Sequence, residues 1–445
     1  MSYPKIVVVP PGPKAKGVVG RDDAIISPSF GRAYPLVISS AEGCIITDVD
    51  GNKYIDMNAG LACMNVGHNH PKVVAAIKAQ ADRFLHYSYT DFYYENVVDL
   101  SETLETIVPG DFKKKFFYGN SGAEANEAAI KLSRWHTRRQ GVIAYIGSFH
   151  GRTMGAVSLT ASKPAQRRYF APFVPGVEHV PYPYCYRCPF NLECPDCGYY
   201  CVDYIDEYLF RKYVPPEDVA VVVAEAVQGE GGYIPAPKGY FKELKKLLDQ
   251  HGILLSLDEV QSGMGRTGKW FAIEHYGVAP DIVCIAKAIA SGLPLGVCAS
   301  RADIMDWTPG SHASTFGGNP VSCAAAKAVV QAMKEERMLE NAERQGNHIM
   351  KRLKEMMEEH PLIGDVRGLG LMVGIELVRD RETKEPAAKE AEDVMMRCFR
   401  KGVALVTCGV STIRLMPPLI ISRDLVDRSL EILDGCLGEV EAESR

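Results

Sequence analysis

The chain has 445 residues, 47% of them hydrophobic and 24% charged, a balance that excludes disordered, collagen-like and heptad-repeat classes. It is long enough for two or three domains. Its 50 basic and 55 acidic residues give a net charge of −5, too small and of the wrong sign for a polyanion-binding surface, so nucleic acid is not an expected partner.

The chain opens on a proline-rich leader up to about Pro13, in which Ile6 to Pro10 is too short and too soon broken for a signal sequence. No later stretch approaches the ~20 apolar residues of a membrane helix, so the expected compartment is the cytoplasm, with no membrane partner. Residues 115–118 read as a strand running into Gly119-Asn120-Ser121-Gly122-Ala123-Glu124-Ala125, and residues 123–138 as a helix with apolar positions three and four apart. Short apolar runs at 142–146, 220–227, 253–257 and 282–286 read as buried strands, most of them alternating with helical patterns such as 240–251. That alternation predicts an open, largely parallel α/β sheet whose ligands gather at the carboxyl ends of the strands. From about Asn319 the pattern changes to long amphipathic helices (324–356) followed by strands at 373–378 and 412–416, a smaller α+β domain.

Three of the strands end in residues with a chemical purpose. The 253–257 run delivers Asp258, the 282–286 run delivers Lys287, and the 115–118 run delivers a turn whose amides and Ser121 hydroxyl suit a phosphate at a helix N-terminus. A lysine leaving an apolar strand has a lowered pKa and an available lone pair, which suits Schiff-base formation. Taken alone, such a lysine is usually solvated, and such an aspartate is usually a helix cap. Together with the anion-binding turn they meet the requirements of pyridoxal 5′-phosphate: a phosphate site, an aldehyde-reactive amine and an acid for the pyridine nitrogen.

The sequence closely resembles the class III (ω-amino acid) aminotransferases, of pyridoxal-phosphate fold type I, over nearly its whole length. The motifs that carry the resemblance are Asn120-Ser121-Gly122-Ala123-Glu124-Ala125, Phe149-His150-Gly151-Arg152-Thr153, Gln228-Gly229-Glu230-Gly231-Gly232, Asp258-Glu259-Val260-Gln261-Ser262-Gly263, Ala286-Lys287 with Gly292-Leu293-Pro294-Leu295-Gly296, and Ser314-Thr315-Phe316-Gly317-Gly318-Asn319-Pro320. It implies a large domain over 71–325 with a mostly parallel seven-stranded sheet, and a small domain made of 1–70 and 326–445. It also implies that Lys287 carries the cofactor and moves the substrate proton, that Asp258 pairs with the ring nitrogen, and that Ser121, Gly122 and Ala123 hold the phosphate. Phe149 would stack on the ring and Gln261 would reach its phenolic oxygen. Thr315 would reach the cofactor of a neighbouring subunit, which makes the active unit at least a dimer. Arg152 and Arg414 would bind substrate carboxylates.

The same resemblance implies that Glu230 masks Arg414 while an ω-amine is bound and releases it for the α-carboxylate of 2-oxoglutarate. Leu61 stands where 4-aminobutyrate aminotransferases carry an aliphatic residue and ornithine δ-aminotransferases a tyrosine; a second ornithine-binding tyrosine falls at Ala33, beside Tyr34. These points favour 4-aminobutyrate over ornithine as the donor. Two departures stand out: Glu225-Ala226 where the family usually has Glu-Pro, and the aromatic run His86 to Tyr94, which is similar to a subgroup that includes amino acid racemases. Racemization is therefore the second reading, although family epimerases tend to carry aspartate at the position of Glu230.

Three features compete for other chemistry. Gly263-Met264-Gly265-Arg266-Thr267-Gly268 fits a dinucleotide fingerprint in letters alone, but no helix is expected after it. His68 and His70 lie in a turn typical of the family and read as structural. Of the 13 cysteines, eight lie singly among apolar neighbours, while Cys185, Cys188, Cys194 and Cys197 form two C-x-x-C pairs followed by Cys201, open to readings as a metal site, disulfides or free thiols.

Overall fold

A computed structural model describes residues 3–443, which divide into two compact units: residues up to 70 together with those from 340 onward, and residues 71–339. The larger unit is built on a seven-stranded sheet. In chain order its strands are β1 (Lys114–Gly119), β2 (Gly141–Tyr145), β3 (Val177–Val180), β4 (Val219–Ala224), β5 (Leu254–Asp258), β6 (Ile282–Ile285) and β7 (Gly296–Arg301). Their spatial order is β1-β7-β6-β5-β4-β2-β3, and only β7 runs against the others. Because β7 is antiparallel to both β1 and β6, β1 points the same way as the rest. Six carboxyl ends therefore share one edge.

Strands β4 and β5 are buried along their whole length, as their unbroken apolar runs require of strands covered on both faces. Helix Gly122–Thr137 lays Ala125, Ala128, Ala129 and Leu132 against this sheet, a small-residue stripe at three- and four-residue spacing that lets the helix approach closely. Helix Tyr240–His251 buries Tyr240, Phe241, Leu244, Leu247 and Leu248 and stops at Gly252, whose φ of 63° suits a glycine cap. The expected strand over 220–227 is two pieces: it breaks after Ala224, and Val227–Gln228 pairs with Ile234–Pro235. The short edge strand β3, with polar Glu178 and His179, carries too little apolar pattern to be legible in the sequence.

The other unit holds a four-stranded antiparallel sheet in the order Ile363–Leu369, Met372–Leu377, Thr412–Leu415, Val406–Cys408, and a second sheet built on residues 38–56. Its helices include Ala388–Arg400 and Arg423–Glu443. The boundary between units falls at 339/340 rather than 325/326, because helix Pro320–Glu335 packs on Pro71–Ala81 and Glu95–Glu105 of the larger unit. The leader ends in a helix, Pro13–Ile25, whose first amides (Lys14 and Ala15) donate to the Asp50 carboxylate at 2.9 Å. Among the described residues no helix is long and apolar enough to cross a membrane.

Candidate active site

The shared carboxyl edge of the sheet collects most of the expected site residues. Ser121, Gly122 and Ala123 follow β1, Phe149 and Arg152 follow β2, Glu230 follows β4, Asp258 ends β5 with Gln261 just beyond, and Lys287 follows β6. In the parallel register of β5 and β6, Asp258 lies opposite Cys284, so Lys287 emerges one short step past the acid. Its backbone turns through φ 50°, a left-handed value that lifts the side chain out of the strand direction into a short 3₁₀ turn.

Asp258 is 5% exposed and braced on one oxygen. Its Oδ2 accepts from His150 Nδ1 and from Asn126 Nδ2, each at 2.8 Å, while Oδ1 accepts the Val260 amide at 3.0 Å. Burial works against a charged His150, yet the hydrogen bond and charge of Asp258, with the charge of Glu225, raise its pKa above the usual value. Asn126 also donates to the carbonyls of Gly122 and His150 at 3.1 and 3.0 Å, which ties the turn at Ser121–Gly122 and the Phe149 loop to the acid. Burial pushes the Glu225 carboxyl up to about 7, against the lowering by His150. His150 and Glu225 lie inside motifs already singled out and Asn126 directly follows one, but their support of Asp258 depends on contacts between distant segments, which spacing does not reveal.

At the start of helix Gly122–Thr137 the Ser121 hydroxyl accepts the Glu124 amide at 3.2 Å and donates to Glu124 Oε2 at 3.0 Å, while the Asn120 amide donates to the same oxygen at 2.9 Å. The hydroxyl expected to serve a phosphate is thus engaged with Glu124, as the N-cap of this helix. What the turn presents to an anion are the first-turn amides of Gly122 and Ala123, which have no intrahelical acceptor. A Cβ on Gly296 would meet the Ser121 carbonyl at 2.1 Å, so the glycine lets β7 pass directly beneath the turn.

The Arg152 guanidinium lies 5.5 Å from the centre of the Phe149 ring. Glu230 is paired at 3.7 Å with Lys163, a residue that no motif flags. Thr315 is exposed on a loop held by Ser314, whose carbonyl accepts from Thr90 Oγ1 at 3.0 Å and whose hydroxyl accepts from Asn120 Nδ2 at 3.1 Å. Leu61 and Arg414 belong to the other unit: Leu61 is half exposed in a left-handed turn at φ 62°, and Arg414 is buried in the strand Thr412–Leu415.

The competing features resolve differently. After Gly268 the chain enters only a 3₁₀ turn, Ala272–Tyr276, and the Arg266 of the glycine-rich segment is fully buried, so no dinucleotide turn exists there. His68 Nε2 is bonded to Asp56 Oδ2 at 2.6 Å. No cysteine is in a disulfide, and among the described residues no group of three or more His, Cys, Asp or Glu side chains is arranged to hold a metal ion. Cys185, Cys188, Cys194, Cys197 and Cys201 nonetheless line one small pocket together, and burial pushes the Cys185 thiol up to about 12.

Residues 27–437 match the model of the class III aminotransferase family. The chain is a class III aminotransferase. It is 43% identical over 408 residues to the leucine/methionine racemase of Thermococcus litoralis, covering 92% of this chain and 91% of that one. It is 38% identical over 432 residues to the 4-aminobutyrate aminotransferase of Escherichia coli, covering 96% and 99%. Its structure is similar to that of an amine transaminase from an uncultivated Pseudomonas species in the pyridoxal-phosphate-bound form, with a TM-score of 0.86 at 31% identity, covering 93% and 98%.

The aminotransferase depends on pyridoxal 5′-phosphate, and its own residues fit that group. Gln261 Oε1 is buried without a hydrogen-bond partner in the chain, as an atom beside an absent polar ligand would be. A braced acid at one strand end, an amine at the next and first-turn amides at a third supply the three kinds of contact that the cofactor needs.

Proposed function

We propose that the enzyme transfers the amino group of an ω-amino acid, 4-aminobutyrate before others, to 2-oxoglutarate, yielding the semialdehyde and glutamate. The observation that carries this reading is Glu230, a carboxylate at the strand edge that is 21% exposed and lies 3.7 Å from Lys163. Bound pyridoxal phosphate supplies an aldehyde and an electron-withdrawing ring. In this reading Asp258 keeps the ring nitrogen protonated, Lys287 attaches the cofactor and carries the proton to and from the substrate carbon, and Phe149 excludes water from one ring face. The Gly122 and Ala123 amides take the phosphate, with Ser121 shaping the turn, and Gln261 takes the phenolic oxygen. Arg152 is assigned the distal carboxylate, Arg414 the α-carboxylate of the acceptor, Leu61 the apolar wall that disfavours ornithine, and Glu230 the choice between donors.

Thr315 is assigned to the cofactor of a second subunit, making the active unit at least a dimer in the cytoplasm. The exposed side chains of Leu85, Tyr87, Phe92, Tyr93 and Phe316 on and beside its loop support that assembly, since monomers rarely leave so many large apolar groups uncovered. Racemization is the second reading, favoured by the 43% identity to a racemase. Incubation with pyridoxal phosphate, 2-oxoglutarate and a panel of ω- and α-amino acids separates the two: glutamate formed from 4-aminobutyrate supports transamination, and inversion of an α-amino acid without glutamate formation overturns it.

A further inference from the structure

Glu225 is 6% exposed, directly follows β4, and is one of the most enclosed carboxylates at the carboxyl edge. Its two oxygens take amides from two different segments: Oε2 accepts the Phe149 amide at 3.2 Å, and Oε1 accepts the Gly229 amide at 3.0 Å. The first segment ends in the ring that stacks on the cofactor, and the second continues directly into Glu230. Gly229 is also packed so closely that a Cβ there would meet the Gln261 amide group at 3.1 Å.

The backbone from which this carboxylate reaches is itself fixed. Tyr182 donates to the Glu225 carbonyl at 2.9 Å, and the Ala226 carbonyl accepts from Tyr182 and from Tyr276, each at 3.2 Å. An acid held at its root and bonded through each oxygen to a separate loop behaves as a spacer between the two. The charged groups that act on its carboxyl are His150, which lowers its pKa, and Asp258, which raises it.

We propose that Glu225 is a positioning residue that sets the Phe149 segment and the Gly229-Glu230 segment in one register, so that cofactor stacking and donor choice are mechanically coupled. The proposal rests on the roles given above to Phe149 and Glu230. Nothing in the family motif alone separates this carboxylate from Glu230, five residues later; the amide contacts do.

The test uses the full-length protein and two readouts. One is the affinity of the apoenzyme for pyridoxal phosphate, titrated by visible absorbance. The other is the ratio of kcat/KM for 4-aminobutyrate to that for glutamate. Glu225→Gln keeps the volume but turns an amino group toward one of the two amides, and should weaken cofactor affinity at least ~5-fold while shifting the donor ratio at least ~3-fold. Phe149→Ala should move the affinity alone, and Glu230→Ala the ratio alone. A Glu225→Gln variant that moves only one readout, or neither, overturns the coupling. Glu225→Asp, too short to reach both amides, should repeat the double shift, and if near-ultraviolet circular dichroism finds both variants unfolded, Glu225 is a fold residue and the proposal fails. Failure of the underlying roles is distinguishable, because it appears in the Phe149→Ala and Glu230→Ala controls rather than in Glu225.

Discussion

Two carboxylates at the same sheet edge are built in opposite ways. Asp258 is 5% exposed and holds three hydrogen bonds, two of them on one oxygen, whereas Glu230 is 21% exposed and faces a lysine across 3.7 Å. An acid that fixes the protonation of a ring nitrogen must not reorient between turnovers, and burial with fixed donors prevents it. In the reading proposed above Glu230 answers two different substrates, and its partial exposure suits that task.

The comparison can be broken first at its rigid end. Lys287→Ala should abolish turnover, and Asp258→Ala should lower kcat by more than ~100-fold, since it removes the ring-nitrogen partner and strands a buried His150; losing one member of such a pair costs ~3–5 kcal/mol. Steady-state rates with saturating cofactor decide this, and near-native turnover in either variant would remove the centre of the assignment. At the compliant end, Glu230→Ala should weaken use of 4-aminobutyrate several-fold while sparing glutamate, read as single-turnover rates for each half-reaction; equal losses would return the racemase reading to the front.

Smaller effects sharpen the same contrast. Lys163→Met removes a partly exposed partner of Glu230, and exposed pairs contribute ~0.2–1 kcal/mol, so the donor ratio should change by no more than ~5-fold and thermal stability hardly at all. A larger loss of stability would mean that the ion pair is structural. A further probe concerns Glu259, fully buried beside Asp258, whose carboxyl accepts from Ser262 and from the amides of Ala272 and Ile273, and which burial pushes up from 4.5 to about 7. The native state then binds a proton that the unfolded chain releases above pH 4.5, so this group's contribution should fall as pH rises from about 4.5 toward 7, by at most ~1.4 kcal/mol per pH unit, and level off above. Glu259→Gln should flatten the dependence of Tm on pH between 5 and 7, and an unchanged slope would contradict it.

Much of this was legible from residue order, and the exceptions share a cause. The strands leading to Asp258 and Lys287 are apolar runs that end in a charge, and such a pattern survives any packing detail. Helix Tyr240–His251 has the bounds its periodicity predicts. Glu225 escaped because the apolar run reads on through it to Val227, whereas the strand ends at Ala224. Lys163 and Asn126 escaped because their significance is a contact with a residue remote in sequence. The Ser121 hydroxyl was expected to face a phosphate; in the structure it caps the helix and bonds the carboxylate of Glu124 three residues later, a spacing that the sequence already carried.

The single reversed strand has a consequence for how the protein comes into being. Gly119 at the end of β1 is hydrogen-bonded in register with Gly296 of β7, and β7 is in turn the neighbour of β6. The phosphate turn and the lysine are therefore joined through a strand that leaves the ribosome after both of them, and pairings so distant in sequence are closed late and slowly. Until that strand arrives, the nascent chain offers Lys287 no complete site, and the cofactor meets the protein only as a nearly finished large unit.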